Sequence, residues 1–173
     1  EGYSSVVGGG REISCRGNYS VIGGGYNNLT SPNYVWQTIG GGALNSTFHE
    51  YTTIAGGVLN KNYSYQSTIG GGFNNTINAG SQESTIMGGV GNTINQPLCT
   101  VVGRGNTANG YSSIILGSTN ATANAYQSYI LGGDGYITNA HAQVAMGNAP
   151  VIFTTNQTPT IEQALNVVFV VGN

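Results

Sequence analysis

Charge is the first thing this chain lacks. Only 6% of its 173 residues are Asp, Glu, Lys or Arg, against roughly a quarter in an average soluble protein. The net charge is −2 and the four basic residues are scattered. No Lys/Arg patch exists to hold nucleic acid or an acidic membrane surface, so neither is expected as a partner. Acids are as sparse, with one Asp (Asp134) and five Glu. Asp134 and His141 are the only near Asp–His pair, and a Ser-His-Asp set would need coincidence; no catalytic residue is assigned and an enzyme is not expected. Cys15, Cys99, His49 and His141 do not have metal-ligand spacing, and a calcium-binding nonapeptide array would need an Asp in every repeat. The glycine strings lack GxxxxGK[ST] and an ensuing helix, which removes the phosphate-loop reading. No metal, cofactor or bound nucleotide is therefore expected. The two cysteines lie five to six repeats apart, roughly 25 Å at ~4.8 Å per layer, whereas a disulfide needs Cα atoms within about 7 Å. No apolar run approaches the ~20 residues that cross a bilayer, so this segment is not expected to insert in a membrane. Both termini read as cuts through something longer, so a targeting signal or anchor is expected to lie, if anywhere, outside this window.

What is present is glycine and a period. Ten apolar runs climb into glycine, from SVVGGG and SVIGGG to SYILGG and QVAMGN. Their third residues are Val7, Ile22, Ile39, Ile54, Ile69, Ile86, Val101, Ile115, Ile130 and Ala145, at steps of 14–17 residues. Two positions after each stands Gly9, Gly24, Gly41, Gly56, Gly71, Gly88, Gly103, Gly117, Gly132 or Gly147. Disorder would scramble such a register; a fixed period means stacked repeats. The expected fold is all-β, a parallel β-roll or β-solenoid of about ten 14–17-residue coils over residues 1–148. Residues 149–173, with Pro150, Pro159 and Ala164–Val171, leave the repeat and read as a cap or the start of another module.

Within one repeat, the residues flanking the anchor point opposite to it. The preceding position is β-branched or aromatic throughout, from Val6 and Thr38 to Ile114 and Tyr129. In the C-terminal half both faces are apolar, as with Ile130 between Tyr129 and Leu131, and a strand apolar on both faces is buried on both. A narrow coil has one inside, so another copy of the chain is the simplest second cover. After the glycines, where the chain is expected to turn, asparagine recurs six residues past the anchor: Asn28, Asn45, Asn60, Asn75 and Asn92. Such stacked amides can bond up and down a ladder. Asn106 and Asn120 come one residue earlier, and Ile13 and Tyr136 break the column. A second short strand follows, as in Asn75-Thr-Ile-Asn, then a variable corner that holds the insertions, and an aromatic (Tyr3, Tyr19, Trp36, Tyr51, Tyr65, Tyr111, Tyr126) before the next anchor.

The pattern [S/T]-x-[I/V]-x-G, polar Asn-rich turn, short strand and return, with Gln143-Val-Ala-Met-Gly147 nearest to S-V-A-I-G, resembles the head repeats of trimeric autotransporter adhesins and related phage and large-virus fibre heads. It covers roughly residues 3–148; the GGG-x-x-N form departs from the familiar head consensus, which carries Ala there. The resemblance implies a left-handed roll assembled as a parallel homotrimer. Together with the repeats, it implies a non-enzymatic head or shaft segment of a surface or virion fibre, extracellular, that meets a host-cell receptor, glycan or matrix protein. The variable corners supply the candidate binding residues Pro32, Tyr34, Phe48, Tyr51, Tyr63, Tyr65 and Pro97; packing aromatics and tolerated insertions are the structural alternative. A scaffolding fibril subunit without a ligand is the rival, with a carbohydrate-binding or ice-binding solenoid behind it. For ice, the Thr38, Thr53, Thr68, Thr85, Thr100 column could order water, but its strands lack T-x-T pairs and the column continues into Ile114 and Tyr129. Seven N-x-[ST] sequons, at Asn18, Asn28, Asn45, Asn62, Asn74, Asn120 and Asn156, leave glycosylation open.

Overall fold

A computed structural model describes residues 2–147; Glu1 and residues 148–173, and with them the cap expected over 149–173, lie outside the described residues. Those residues form an all-β parallel solenoid of about nine turns, with no helix among them. Ten strands stack into one sheet, from Val6–Val7, Val21–Ile22 and Thr38–Ile39 to Tyr129–Leu131 and Val144–Met146. Nine stack into the other, from Ser14–Cys15 to Ile137–Thr138. Each strand pairs in parallel with its equivalent one turn along, as Thr53↔Thr68 with Ile54↔Ile69 in the first sheet and Thr76↔Thr93 with Ile77↔Ile94 in the second. The expected count of about ten coils thus becomes ten first strands, nine second strands and the bends between them.

The anchors point inward. Ile22, Ile39, Ile54, Ile69, Ile86, Val101, Ile115, Ile130 and Ala145 are buried, while Val7 on the first described turn is exposed. Burying one such aliphatic side chain contributes about 1.5–3 kcal/mol, so the column is the main apolar spine. The second sheet meets it with Cys15, Thr30, Thr47 and Asn62 in the early turns and Ile77, Ile94, Ala108 and Ala123 later. Both cysteines are free and buried.

Asparagine does form the interior ladder, and its bonding explains the turn. The Asn45, Asn60, Asn75 and Asn92 backbone N–H groups donate at 3.0 Å to the side-chain oxygens of Asn28, Asn45, Asn60 and Asn75 one coil back. Each amide nitrogen also reaches a glycine carbonyl of its own coil and one of the next, as Asn75 Nδ2 does to Gly71 (3.0 Å) and Gly89 (2.9 Å). A buried donor or acceptor left without a partner costs about 1–3 kcal/mol; the ladder removes that cost at every bend. Asn106 continues it, its N–H bonded to Asn92 Oδ1 at 3.1 Å. The Val101 coil loses its residue earlier, at a register shift opposite Met87, so that Gly103 pairs with Gly89 and Asn106 stays in line. Asn120 lies in a full-length coil and falls one place short: it is exposed, and Ala121 takes the inward place, donating to Asn106 Oδ1 at 2.9 Å. Tyr136, which interrupts the column in sequence, fills the same place with a fully buried ring.

The glycine strings make the turn as expected, and their positions differ in how strictly they need glycine. Gly56, two past its anchor, has no left-handed φ, and a Cβ there would meet nothing within 4 Å. Gly72, three past its anchor, has φ +97° and faces the Gly89 carbonyl oxygen so closely that a Cβ would overlap it. The ladder amide sits on the same spot, which is why glycine recurs there.

Candidate functional surfaces

Each coil reverses direction through residues of positive φ, and many of them are not glycine. In the return bend the residue three before the anchor has φ near +50 to +60° in every turn, including Tyr19, Trp36 and Tyr51. Bulky side chains resist this region. Two contacts offset the strain. The backbone N–H donates to the preceding coil, as Tyr19 to Tyr3 O (2.8 Å) and Trp36 to Asn18 O (3.1 Å). The rings also stack along the axis, Tyr19 on Trp36 with centroids 5.9 Å apart and Trp36 on Tyr51 at 4.9 Å, with Tyr3 and Tyr65 edge-on at the two ends.

Most of the sequence candidates belong to this bend or flank it. Tyr34 stacks on His49 at 4.5 Å, His49 meets Tyr65 edge-on at 5.7 Å, and Tyr51 meets Tyr65 at 5.7 Å. Phe48 and Tyr63 form a separate stack at 4.5 Å and 8°. Pro32 is exposed in the insertion that makes its coil longer. That insertion is clamped from inside: Gln37 Nε2 donates to the carbonyls of Ser31 (2.7 Å) and Tyr34 (2.9 Å), and its Oε1 accepts from Ser31 N–H (3.0 Å) and Thr47 Oγ1 (2.9 Å). Pro97 stands apart from these rings in a later coil, where its carbonyl accepts the Ser112 N–H at 2.9 Å. The bend therefore joins Tyr34, Tyr51 and Tyr65 with His49, inside the candidate stretch Phe48–Tyr51, and with Tyr19 and Trp36, which the sequence candidates omit. Because stacked rings cover one another's faces, they offer edges and hydroxyls outward. Tyr111, Tyr126 and His141 repeat the arrangement at 5.1 Å steps in the last turns. His141 is thereby held in the return bend, while Asp134 faces Asn120 at 3.4 Å in the other bend.

The outer face of the ten-stranded sheet changes along the axis. Its early turns carry Thr38, Thr53 and Thr68 beside Gly40, Ala55 and Gly70. Its late turns carry Ile114 and Leu116, Tyr129 and Leu131, Val144 and Met146, in register and only half-buried. On earlier coils Met87 of this sheet, and Phe73 and Val90 in the asparagine-ladder bend, are exposed.

The nine-stranded sheet has a different outer face. From the Thr76–Ile77 strand onward it shows a column of Thr76, Thr93, Thr107 and Thr122, ending in Ile137. Beside it runs a second, external asparagine ladder: Asn78 donates to Asn95 at 2.5 Å, Asn95 to Asn109 at 2.7 Å, Asn109 to Asn124 and Asn124 to Asn139 at 2.9 Å. The T-I-N and T-A-N triplets that carry it are visible in sequence, but their two outer residues become one face only once the strand is placed.

Among the described residues no three His, Cys, Asp or Glu come together as a metal site, and no helix is long and apolar enough to cross a membrane. Of the sequons, Asn28, Asn45 and Asn62 are wholly buried and bonded within the roll, whereas Asn18, Asn74 and Asn120 are exposed. No protein-family model matches this chain, and no curated protein matches it significantly.

Proposed function

We propose that the chain is a non-enzymatic head or shaft segment of an extracellular fibre, on a cell or virion surface. Three parallel copies assemble as left-handed rolls through the outer face of the ten-stranded sheet. The observation that carries this reading is the late-turn face. Ile114, Leu116, Tyr129, Leu131, Val144 and Met146 form two in-register apolar columns that a single coil leaves half-covered. Contiguous apolar surface of this kind marks an interaction site, and an identical repeat on a second and third copy matches it layer by layer. Removing this face from water stabilises assembly at roughly 25 cal/mol per Å². The aromatic return bend around Tyr34, Trp36, Tyr51 and Tyr65 then supplies the adhesive surface towards a host receptor, glycan or matrix protein. Light scattering after size exclusion tests the assembly. The wild-type chain should have about three times the 17.8 kDa chain mass, and Leu116→Glu should have the single-chain mass with unchanged circular dichroism. A wild-type chain at 17.8 kDa would sink the trimer.

A further inference from the structure

The outer face of the nine-stranded sheet has no part in that assembly, and its order is two-dimensional. Thr93, Thr107 and Thr122 repeat along the axis at about 4.8 Å, and each is separated from Asn95, Asn109 or Asn124 by two residues of strand, about 6.5–7 Å. The external amide bonds fix the asparagine rotamers, with Asn95 Nδ2 to Asn109 Oδ1 at 2.7 Å and Asn109 Nδ2 to Asn124 Oδ1 at 2.9 Å. An amide has two N–H donors and two acceptor lone pairs, so each asparagine keeps one donor and one acceptor for what lies outside. From the Thr76–Ile77 strand on, no strand of this sheet carries a charged residue. That composition complements a neutral ligand and not an ionic one.

We propose that this face is a second binding site whose ligand is a crystalline water lattice, that is, ice. A flexible polymer offers one period and an ordinary protein surface none, whereas the face is regular in two perpendicular directions close to the oxygen repeats on a prism face of hexagonal ice. Threonine supplies a hydroxyl beside a methyl, which holds a water layer at the surface without dispersing it, and the locked amides continue the same layer in the next column. The sequence-level objection to ice binding concerned the Thr column of the other sheet, which lacks a paired residue; here each threonine has its asparagine. The inference does not rest on the fibre reading, since it uses the opposite sheet.

The test is thermal hysteresis and ice shaping by the full 173-residue chain, with partition into a slowly growing ice hemisphere as a second readout. The wild type should shape ice and concentrate in it. Thr107→Lys should lower the hysteresis about tenfold, because the lattice cannot accept an ammonium without stripping its hydration. Gln82→Lys, exposed in the return bend, should leave it unchanged. Circular dichroism checks that each variant folds, and Thr93→Lys replaces Thr107→Lys if that variant does not. A wild-type chain excluded from ice overturns the proposal outright. So does equal hysteresis in Thr107→Lys and the wild type, or a fall in solution mass in Thr107→Lys, which would make the face an interface between copies.

Discussion

Replacing Asn75 by alanine cuts the interior amide ladder at its middle. Its Nδ2 shares two N–H groups among Gly71 O (3.0 Å), Gly89 O (2.9 Å) and Asn60 Oδ1 (3.1 Å), and its Oδ1 accepts from Asn92 N and Nδ2, both at 3.0 Å. Alanine leaves the buried Asn92 N–H without this partner, while the Gly89 carbonyl keeps the Phe73 N–H at 2.9 Å. That one orphan, at about 1–3 kcal/mol, with the lost bonds to the glycine carbonyls and the small void left behind, predicts a loss of about 2–4 kcal/mol. Asn95→Ala is the matched control. It removes the same side chain from the external ladder, where the Asn109 oxygen it leaves is open to water, and the loss should stay below about 1 kcal/mol. Urea unfolding followed by circular dichroism measures both, at equal protein concentration because an assembled chain gains stability by mass action. Equal losses at the two positions would refute the claim that the interior amides, rather than the Asn content itself, hold the bends.

Three further outcomes follow from the same geometry. Gly72→Ala, which drives a Cβ into the Gly89 carbonyl at φ +97°, should cost about 3 kcal/mol or more, and Gly56→Ala, with open space around it, should change stability by no more than about 0.5 kcal/mol; parallel urea melts decide. The Ser64 hydroxyl is buried without a hydrogen-bond partner, so Ser64→Ala should raise stability by about 1 kcal/mol, read as a higher midpoint. Burial pushes the Cys99 thiol upward, outweighing backbone hydrogen bonds from Ser113 and Ser112 that lower it. The folded chain therefore keeps a proton that the unfolded chain releases, and stability should fall as pH rises above about 9. Cys99→Ala should show a shallower fall over that range in pH-dependent melts.

Periodicity made the architecture legible, because a β-solenoid is a local rule repeated. The anchor column, the second strand at Thr76–Ile77 and Thr93–Ile94, and the interior ladder from Asn28 to Asn92 all lie where a 14–17-residue period with strand alternation puts them. What escaped the sequence depends on register across coils. Asn106 and Asn120 look alike along the chain, yet the register shift opposite Met87 keeps one in the ladder and leaves the other outside. Trp36 and Tyr51 carry no sequence sign of a left-handed backbone, since that conformation is held by a bond to the coil before and a ring on the coil beside. The glycine two past each anchor recurs most strictly, but its neighbour at Gly72 is the crowded one. Among the site candidates, Tyr34, Tyr51 and Tyr65 converge because all three fall in the return bend of neighbouring coils, whereas Pro97 shares the bend but no ring contact. The external Thr–Asn face is not legible along the chain, because the two outer positions of each T-I-N or T-A-N triplet become one face only when the second strand is placed.

Disulfide trapping tests the assembly face most directly. Cys15 and Cys99 are buried and leave introduced thiols to report alone. With Leu116→Cys, oxidation should link two chains of the assembly into a covalent dimer on a non-reducing gel, since three copies of one outward position converge on a common axis. Thr107→Cys, on the outer face of the opposite sheet, should remain monomeric on that gel. Dimers from Thr107→Cys and none from Leu116→Cys would contradict the account and move the interface to the other sheet.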